Sequence, residues 1–247
     1  MSDSIVIIPT YNEKENIEAI IRTVFSLPKA FHILIIDDGS PDGTADIVKR
    51  LQGEFPESLH MVQRQGKLGL GTAYIAGFRW SIEHKYDFIF EMDADFSHNP
   101  NDLMRLYESC TTGGGDVAIG SRYVGNVVNV INWPIGRVVM SYFASSYVRL
   151  ITGMRIFDTT AGFKCYRRQV LETIELEKIH FKGYAFQIEM KFTAYKCGFT
   201  INEVPIVFSN RVLGVSKMSG GIFGEAFLGV VMMKLKSFFR TYPQKKK

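Results

Sequence analysis

Two carboxylates one residue apart, Asp93 and Asp95, directly follow the short apolar run Phe88-Ile-Phe-Glu-Met92. On an extended backbone, side chains i and i+2 leave the same face. Both acids are therefore expected to aim at one point where a strand gives way to its loop. Two hard oxygen donors converging there suit Mg²⁺ or Mn²⁺, because Mg²⁺ is usually held by one or two carboxylates plus waters and substrate phosphates. Ser97 lies on the same alternation and offers a third oxygen, directly or through water. A cation seated there would neutralise a diphosphate leaving group, which points to group transfer from a nucleotide diphosphate. The plainer alternative is a solvated loop whose acids cap the next helix.

Other reactive groups fall at similar places. Asp37 and Asp38 end a second apolar run, Ile33-Leu-Ile-Ile36. They either cap the following helix or bind a ribose or base edge, as an acid does in dinucleotide folds. Arg122, Arg137, Arg211 and Lys217 are cations in apolar or glycine-rich settings. Each alone reads as a surface charge; together they suit a second phosphate, with arginine as a planar fork and lysine as a point charge. The segment Gly66-Lys-Leu-Gly-Leu-Gly-Thr-Ala73 is no P-loop, because Leu68 stands where Ser or Thr is needed. It also lacks the placement of a dinucleotide fingerprint. It reads as a glycine loop opening a helix, with Lys67 near the substrate. His32, His60, His84, His98 and His180 show no metal-ligand spacing and read as structural or exposed. Cys110, Cys165 and Cys197 are too scattered for a disulfide framework or zinc site.

The elements that must carry these groups follow from periodicity. Strands are expected at 4–8, 33–36, 59–62, 88–92 and 117–120, with helices at 15–25, 44–51, 71–84 and from Pro100 to about 109. Alternating strands and helices, with continuous Ile/Val/Phe strands, predict an α/β fold whose mostly parallel sheet is covered by helices on both faces. Ligands in such sheets bind at the carboxyl ends of the strands. Tyr11 and Glu13, Asp37 and Asp38, Asp93 and Asp95, and Ser121 and Arg122 all fall there. Beyond residue 123 the pattern is less regular. Helices are expected at 137–151, 185–196 and 222–239, and strands at 163–166 and 200–208.

With 247 residues, 46% hydrophobic and 22% charged, the chain should fold as one packed domain with at most a short appendix. A net charge of +4 gives no reason to expect nucleic-acid binding. No apolar run approaches the ~18 residues of a membrane span, and the N-terminus has no signal-peptide pattern. The positive charge gathers at Lys234, Lys236, Arg240, Lys245, Lys246 and Lys247, beside an apolar stretch. That combination suits an interfacial helix; a core helix with a solvated tail is the plainer reading.

Eight segments in this order resemble inverting family 2 glycosyltransferases of the GT-A (Rossmann-like) fold, and within them the polyprenyl-phosphate (dolichyl-phosphate) mannose synthases. They are Pro9-Thr-Tyr-Asn-Glu13, Asp37-Asp-Gly-Ser-Pro-Asp-Gly-Thr44, Gly69-Leu-Gly-Thr-Ala-Tyr74, Met92-Asp-Ala-Asp-Phe-Ser-His98, Gly120-Ser-Arg-Tyr123, Gly162-Phe-Lys-Cys-Tyr-Arg167, Gly183-Tyr-Ala-Phe-Gln-Ile-Glu-Met190 and Arg211-Val-Leu-Gly-Val-Ser-Lys217. The resemblance implies a GT-A domain over 1–221, an acceptor loop and interface helix within 123–154, and a C-terminal amphipathic helix with a basic tail over 222–247. It implies that Pro9, Tyr11, Glu13, Ile36 and Asp38 line the nucleotide pocket. Asp93, Ala94 and Asp95 would face the diphosphate, with Asp95 and Ser97 nearest the metal. Arg122, Arg211 and Lys217 would contact phosphates, Arg137 and Ser141 the acceptor phosphate, and Gln187 and Glu189 the sugar. The implied reaction moves mannose from GDP-mannose to a polyprenyl phosphate at the cytoplasmic face of a membrane. A separate anchor subunit could supply the membrane attachment. Sugar transfer from a UDP donor, or a silent nucleotide-binding subunit, are the alternatives.

Overall fold

The computed structural model describes residues 2–124, 128–183, 185–210 and 222–246. Arg211 and Lys217 lie outside the described residues. The first half alternates strand and helix: β1 (Ser4–Thr10), α1 (Ile17–Phe25), β2 (His32–Asp37), α2 (Thr44–Glu54), β3 (Leu59–Gln63), α3 (Leu70–Glu83), β4 (Phe88–Glu91), α4 (Asp102–Thr111) and β5 (Val117–Ser121). The second half adds β6 (Val130–Ile131), α5 (Ile135–Thr152), β7 (Lys164–Arg167), α6 (Arg168–Thr173), α7 (Ala185–Lys196), β8 (Ile201–Pro205), β9 (Phe208–Ser209) and α8 (Ile222–Ser237).

Seven strands form one sheet in the order β3-β2-β1-β4-β7-β5-β8. All neighbours are parallel except β7, which runs antiparallel to both β4 and β5. Strand alternation sorts side chains into two cores. Val6, Ile8, Ile33, Ile35 and Phe90 pack under α1, α2 and α4. Ile5, Ile7, Leu34, Ile36 and Ile89 pack under α3, α6 and α7. Both faces are thus covered, which is why β1 and β2 read as unbroken apolar runs.

Several boundaries moved. The fourth helix starts at Asp102 rather than Pro100, because the Asn99 side chain accepts the Asn101 N–H (3.1 Å) and holds Pro100 in the preceding turn. The stretch expected as one strand over 200–208 breaks after Pro205 into β8 and the two-residue β9. β9 pairs in parallel with β6, a strand too short to leave a periodic signal. This small sheet ties the segment before α5 to the segment after β8.

Candidate active site

The loops at the carboxyl ends of β1 and β2 are laced together. Thr10 Oγ1 donates to Asp37 Oδ1 (2.9 Å), and the Asn12 N–H donates to Ser40 Oγ (3.0 Å). The Glu13 N–H donates to Thr44 Oγ1 (3.0 Å), and Asn16 Nδ2 to Glu13 Oε2 (3.1 Å). Asp37 also takes the Ser40 backbone N–H and hydroxyl, so it organises the turn. Asp38 faces the other way. It takes Arg64 Nε at 2.6 Å and the Leu68 N–H at 3.3 Å. Arg64, at the end of β3, escaped sequence reading because its partner lies 26 residues away. Lys67 sits 5.2 Å from the Tyr11 ring, so the glycine loop comes up beside the loop after β1. Pro9 is half-buried, whereas the Ile36 side chain is fully buried in the α3-side core. The Ile36 side chain is therefore closed off from the surface.

Asp93 and Asp95 follow β4 on a bent rather than an extended loop. The backbone turns at Phe96, whose φ is +59°. The two acids differ: the Asp93 side chain is 42% exposed, while Asp95 is buried and accepts the Ser97 N–H at 3.1 Å. Ala94 and Ser97 are buried as well. His98 lies beneath, stacked on Phe163 at 4.8 Å, and its Nδ1 accepts the Asp93 N–H at 3.3 Å. Burial pushes the His98 pKa down to about 4, so the ring is neutral and acts as a brace for the loop. Among the described residues, no three His, Cys, Asp or Glu side chains are grouped to hold a metal unaided.

Beside Asp93 opens a cavity of about 200 Å³ lined by Arg122, Trp133, Arg137, Ser141 and Gln187, with Gly162 among its other walls. Arg137, in the first turn of α5, stacks on Trp133 at 4.0 Å and donates to Asn210 Oδ1 at 3.0 Å. The Ser141 hydroxyl oxygen and Trp133 Nε1 are buried with no hydrogen-bond partner among the described residues. Arg122 lines the cavity but is gripped by Asp158 through two 2.7 Å contacts and donates to Thr160 Oγ1. Burial alone would raise the Asp158 carboxyl; the Arg122 charge and hydrogen bonds outweigh it and hold it below its ordinary range. Much of the Arg122 charge is thus already balanced within the protein.

Glu189 departs from its expected place. Two residues along a helix point roughly 200° apart, and Glu189 faces away from Gln187. It accepts the backbone N–H groups of His180 and Phe181, each at 2.9 Å. Its role is to hold the turn before α7.

The model for "Glycosyl transferase family 2" matches residues 5–175. The chain belongs to that family. It is 48% identical over 228 residues to a polyprenol monophosphomannose synthase from Mycolicibacterium smegmatis, covering 92% of this chain and 85% of that protein. An undecaprenyl-phosphate mannosyltransferase from Micrococcus luteus is 46% identical over 226 residues, covering 92% and 91%. Among solved structures, glucosyl-3-phosphoglycerate synthase from Mycobacterium tuberculosis, in complex with Mn²⁺, UDP and glucosyl-3-phosphoglycerate, superposes with a TM-score of 0.66 at 17% identity. That match covers 94% of this chain and 79% of the other. A mannosyltransferase from Pyrobaculum calidifontis, in complex with GDP-Man and Mn²⁺, gives 0.60 at 16% identity, covering 97% and 64%. The fold of this family 2 glycosyltransferase is GT-A, as the sequence resemblance implied.

Proposed function

We propose that this glycosyltransferase moves mannose from GDP-mannose to a polyprenyl phosphate with inversion at the anomeric carbon. The observation that carries the reading is the cavity beside Asp93. Its Arg137 end gathers hydrogen-bond donors, including the Ser141 hydroxyl, which has no partner among the described residues; this suits a phosphate. The nucleotide would lie along Pro9, Tyr11, Glu13 and Asp38, ahead of Ile36, with its diphosphate toward Asp93, Ala94 and Asp95. Two carboxylates and a hydroxyl fit a Mg²⁺ or Mn²⁺ that takes its other ligands from phosphate and water. Bound there, the ion would offset charge on the departing diphosphate.

An oxygen of the acceptor phosphate attacks the anomeric carbon. The bond to the donor phosphate breaks on the opposite face, and the nucleoside diphosphate leaves with the electron pair. A phosphate monoester has its second pKa near about 6, so the nucleophile is largely anionic at neutral pH and no general base is required. The protein's task is to hold two anions in line. Arg137 and Ser141 would hold the acceptor phosphate. Arg122 would add a third contact if an arriving phosphate competes with Asp158 for its guanidinium. Arg211 and Lys217 are assigned to the donor phosphates.

The acceptor is a lipid, and the surface suits one. α5 buries only Ser145, Val148 and Thr152, while Ile135, Val139, Phe143 and Leu150 are exposed. α8 packs on it through Tyr147 and Phe227, stacked at 4.3 Å, and exposes Leu228, Met232 and Leu235. An apolar groove lined by Tyr123, Val128, Tyr142 and Phe143 runs alongside. No helix among the described residues is long and apolar enough to cross a membrane. We assign peripheral attachment to a cytoplasmic membrane face, aided or not by an anchor subunit.

Thermal shift with Mn²⁺ tests the donor assignment. GDP-mannose should stabilise the protein more than UDP-glucose does; the reverse order would move the reading to a UDP-sugar transferase.

A further inference from the structure

Glu189, buried on α7, reaches the nucleotide side of the site through other residues. One of its oxygens, Oε2, accepts both the His180 and the Phe181 N–H, each at 2.9 Å. The next residue of that turn, Lys182, offers its carbonyl to the Gly71 N–H at 2.8 Å. Gly71 lies in the first turn of α3, whose N-cap is Gly69 and carries no side-chain cap. The first N–H groups of a helix have no partner within it, so Lys182 supplies from outside what a Ser or Asp cap would supply. The approach is close. A Cβ on Gly71 would stand 2.9 Å from the Phe181 carbonyl oxygen, and one on Gly69 would stand 3.2 Å from that of Lys182.

The same helix start also meets the loops assigned to the nucleotide. Arg64 joins the two: its Nη1 donates to Thr72 Oγ1 at 2.8 Å and its Nε to Asp38 Oδ1 at 2.6 Å. The Leu68 N–H, one residue before Gly69, donates to Asp38 Oδ2 at 3.3 Å, and Lys67 stands over the Tyr11 ring. A run of hydrogen bonds and short backbone steps thus leads from Glu189, through the turn and the start of α3, to Asp38. We propose that Glu189 is a positioning residue for nucleotide binding. It seats the start of α3 so that Arg64 and the glycine loop hold Asp38 and Tyr11 in place. It acts through one acceptor oxygen rather than through charge, and it touches no substrate. This rests on the transferase reading above and gives Glu189 a part in it other than contact with the sugar.

The test sorts variants of Glu189 by reach against charge. GDP and UDP are titrated with Mn²⁺, and whichever the wild type binds more tightly is the reference ligand, so a wrong donor assignment changes only the ligand used. In Glu189→Gln a neutral amide oxygen can still accept both N–H groups, and affinity should stay within about twofold of wild type. Glu189→Asp keeps the charge but is one methylene shorter, and Glu189→Leu cannot accept at all. Both should bind the reference ligand at least about tenfold more weakly, the scale of a buried donor left without its partner. The KM for a short polyprenyl phosphate, at saturating sugar nucleotide, should stay within about twofold in all three. Gly71→Ala, whose Cβ would push the start of α3 off the Phe181 carbonyl, should reproduce the nucleotide loss with Glu189 intact. A carboxylate that acted on the sugar would give another order, with kcat lost in Glu189→Gln and nucleotide affinity kept. The proposal fails if folded Glu189→Asp and Glu189→Leu bind like wild type, if Glu189→Gln loses as much as Glu189→Leu, or if the acceptor KM rises in step with nucleotide loss. Should neither Glu189→Asp nor Glu189→Leu fold, unchanged nucleotide affinity in Gly71→Ala overturns it. A wild type that binds neither nucleotide would instead bring down the transferase reading itself, and this proposal with it.

Discussion

Asp95 and Asp93 were legible from their spacing alone, but their division of labour was not. On the bent loop after β4, Asp95 is buried and Asp93 stays reachable. Asp95→Ala removes a buried acceptor of the Ser97 N–H, so stability should fall by about 1–3 kcal/mol. Transfer, in contrast, should drop at least about a hundredfold, the scale seen when a preorganised electrostatic group is lost. Initial rates alongside thermal denaturation measure both. Arg137→Ala should raise the KM for polyprenyl phosphate several-fold with nucleotide affinity unchanged; titrations against each substrate separate the two, and equal losses would count against the acceptor assignment. Arg122 was readable as a cation in an apolar setting. Its clamp by Asp158 was not, because that partner stands 36 residues away in a segment without periodicity.

At the level of elements, the first half of the chain reads well because each strand is a short apolar run and each helix has one apolar stripe. The antiparallel sense of β7 left no mark in its four residues, yet it sets Lys164 opposite Glu91. The paired β6 and β9 were equally silent, and they position Trp133 and Phe208 at the cavity. Glycine spacing carried more than loop chemistry. A Cβ at Gly77 would fall 2.7 Å from Ile7 Cγ2, so α3 lies directly on β1. Gly77→Ala should therefore cost about 1–3 kcal/mol by overpacking, measured by urea denaturation. Gly53→Ala, whose Cβ would meet nothing within 4 Å, should not destabilise.

Among the described residues, α5 and α8 expose apolar side chains, and Phe238 and Phe239 follow them exposed. The C-terminal cations expected to join them are partly committed elsewhere. Lys245 pairs with Asp116 at 2.7 Å, and Arg240 lies 3.8 Å from Glu175, so the tail straps α8 to the domain. Attachment should then depend more on the apolar side chains than on the tail. Phe143→Ser/Phe239→Ser should reduce co-sedimentation with anionic vesicles more than Lys246→Ala does. A stability effect of pH belongs at this scale too. Burial lowers the pKa of both His32 and His60, so each resists protonation in the fold. The unfolded chain then binds more protons below its ordinary histidine range near about 6.5. Unfolding free energy should fall as pH drops through that range, and His60→Phe should flatten the slope in a denaturant series at several pH values.

Incubation with GDP-mannose, Mg²⁺ and a short polyprenyl phosphate, followed by NMR of the lipid product, addresses the reaction itself. A β-linked mannosyl phosphodiester formed from the α-linked donor is the expected outcome. An α-linked product, or GDP release without any lipid-borne mannose, would contradict an in-line displacement by the acceptor phosphate.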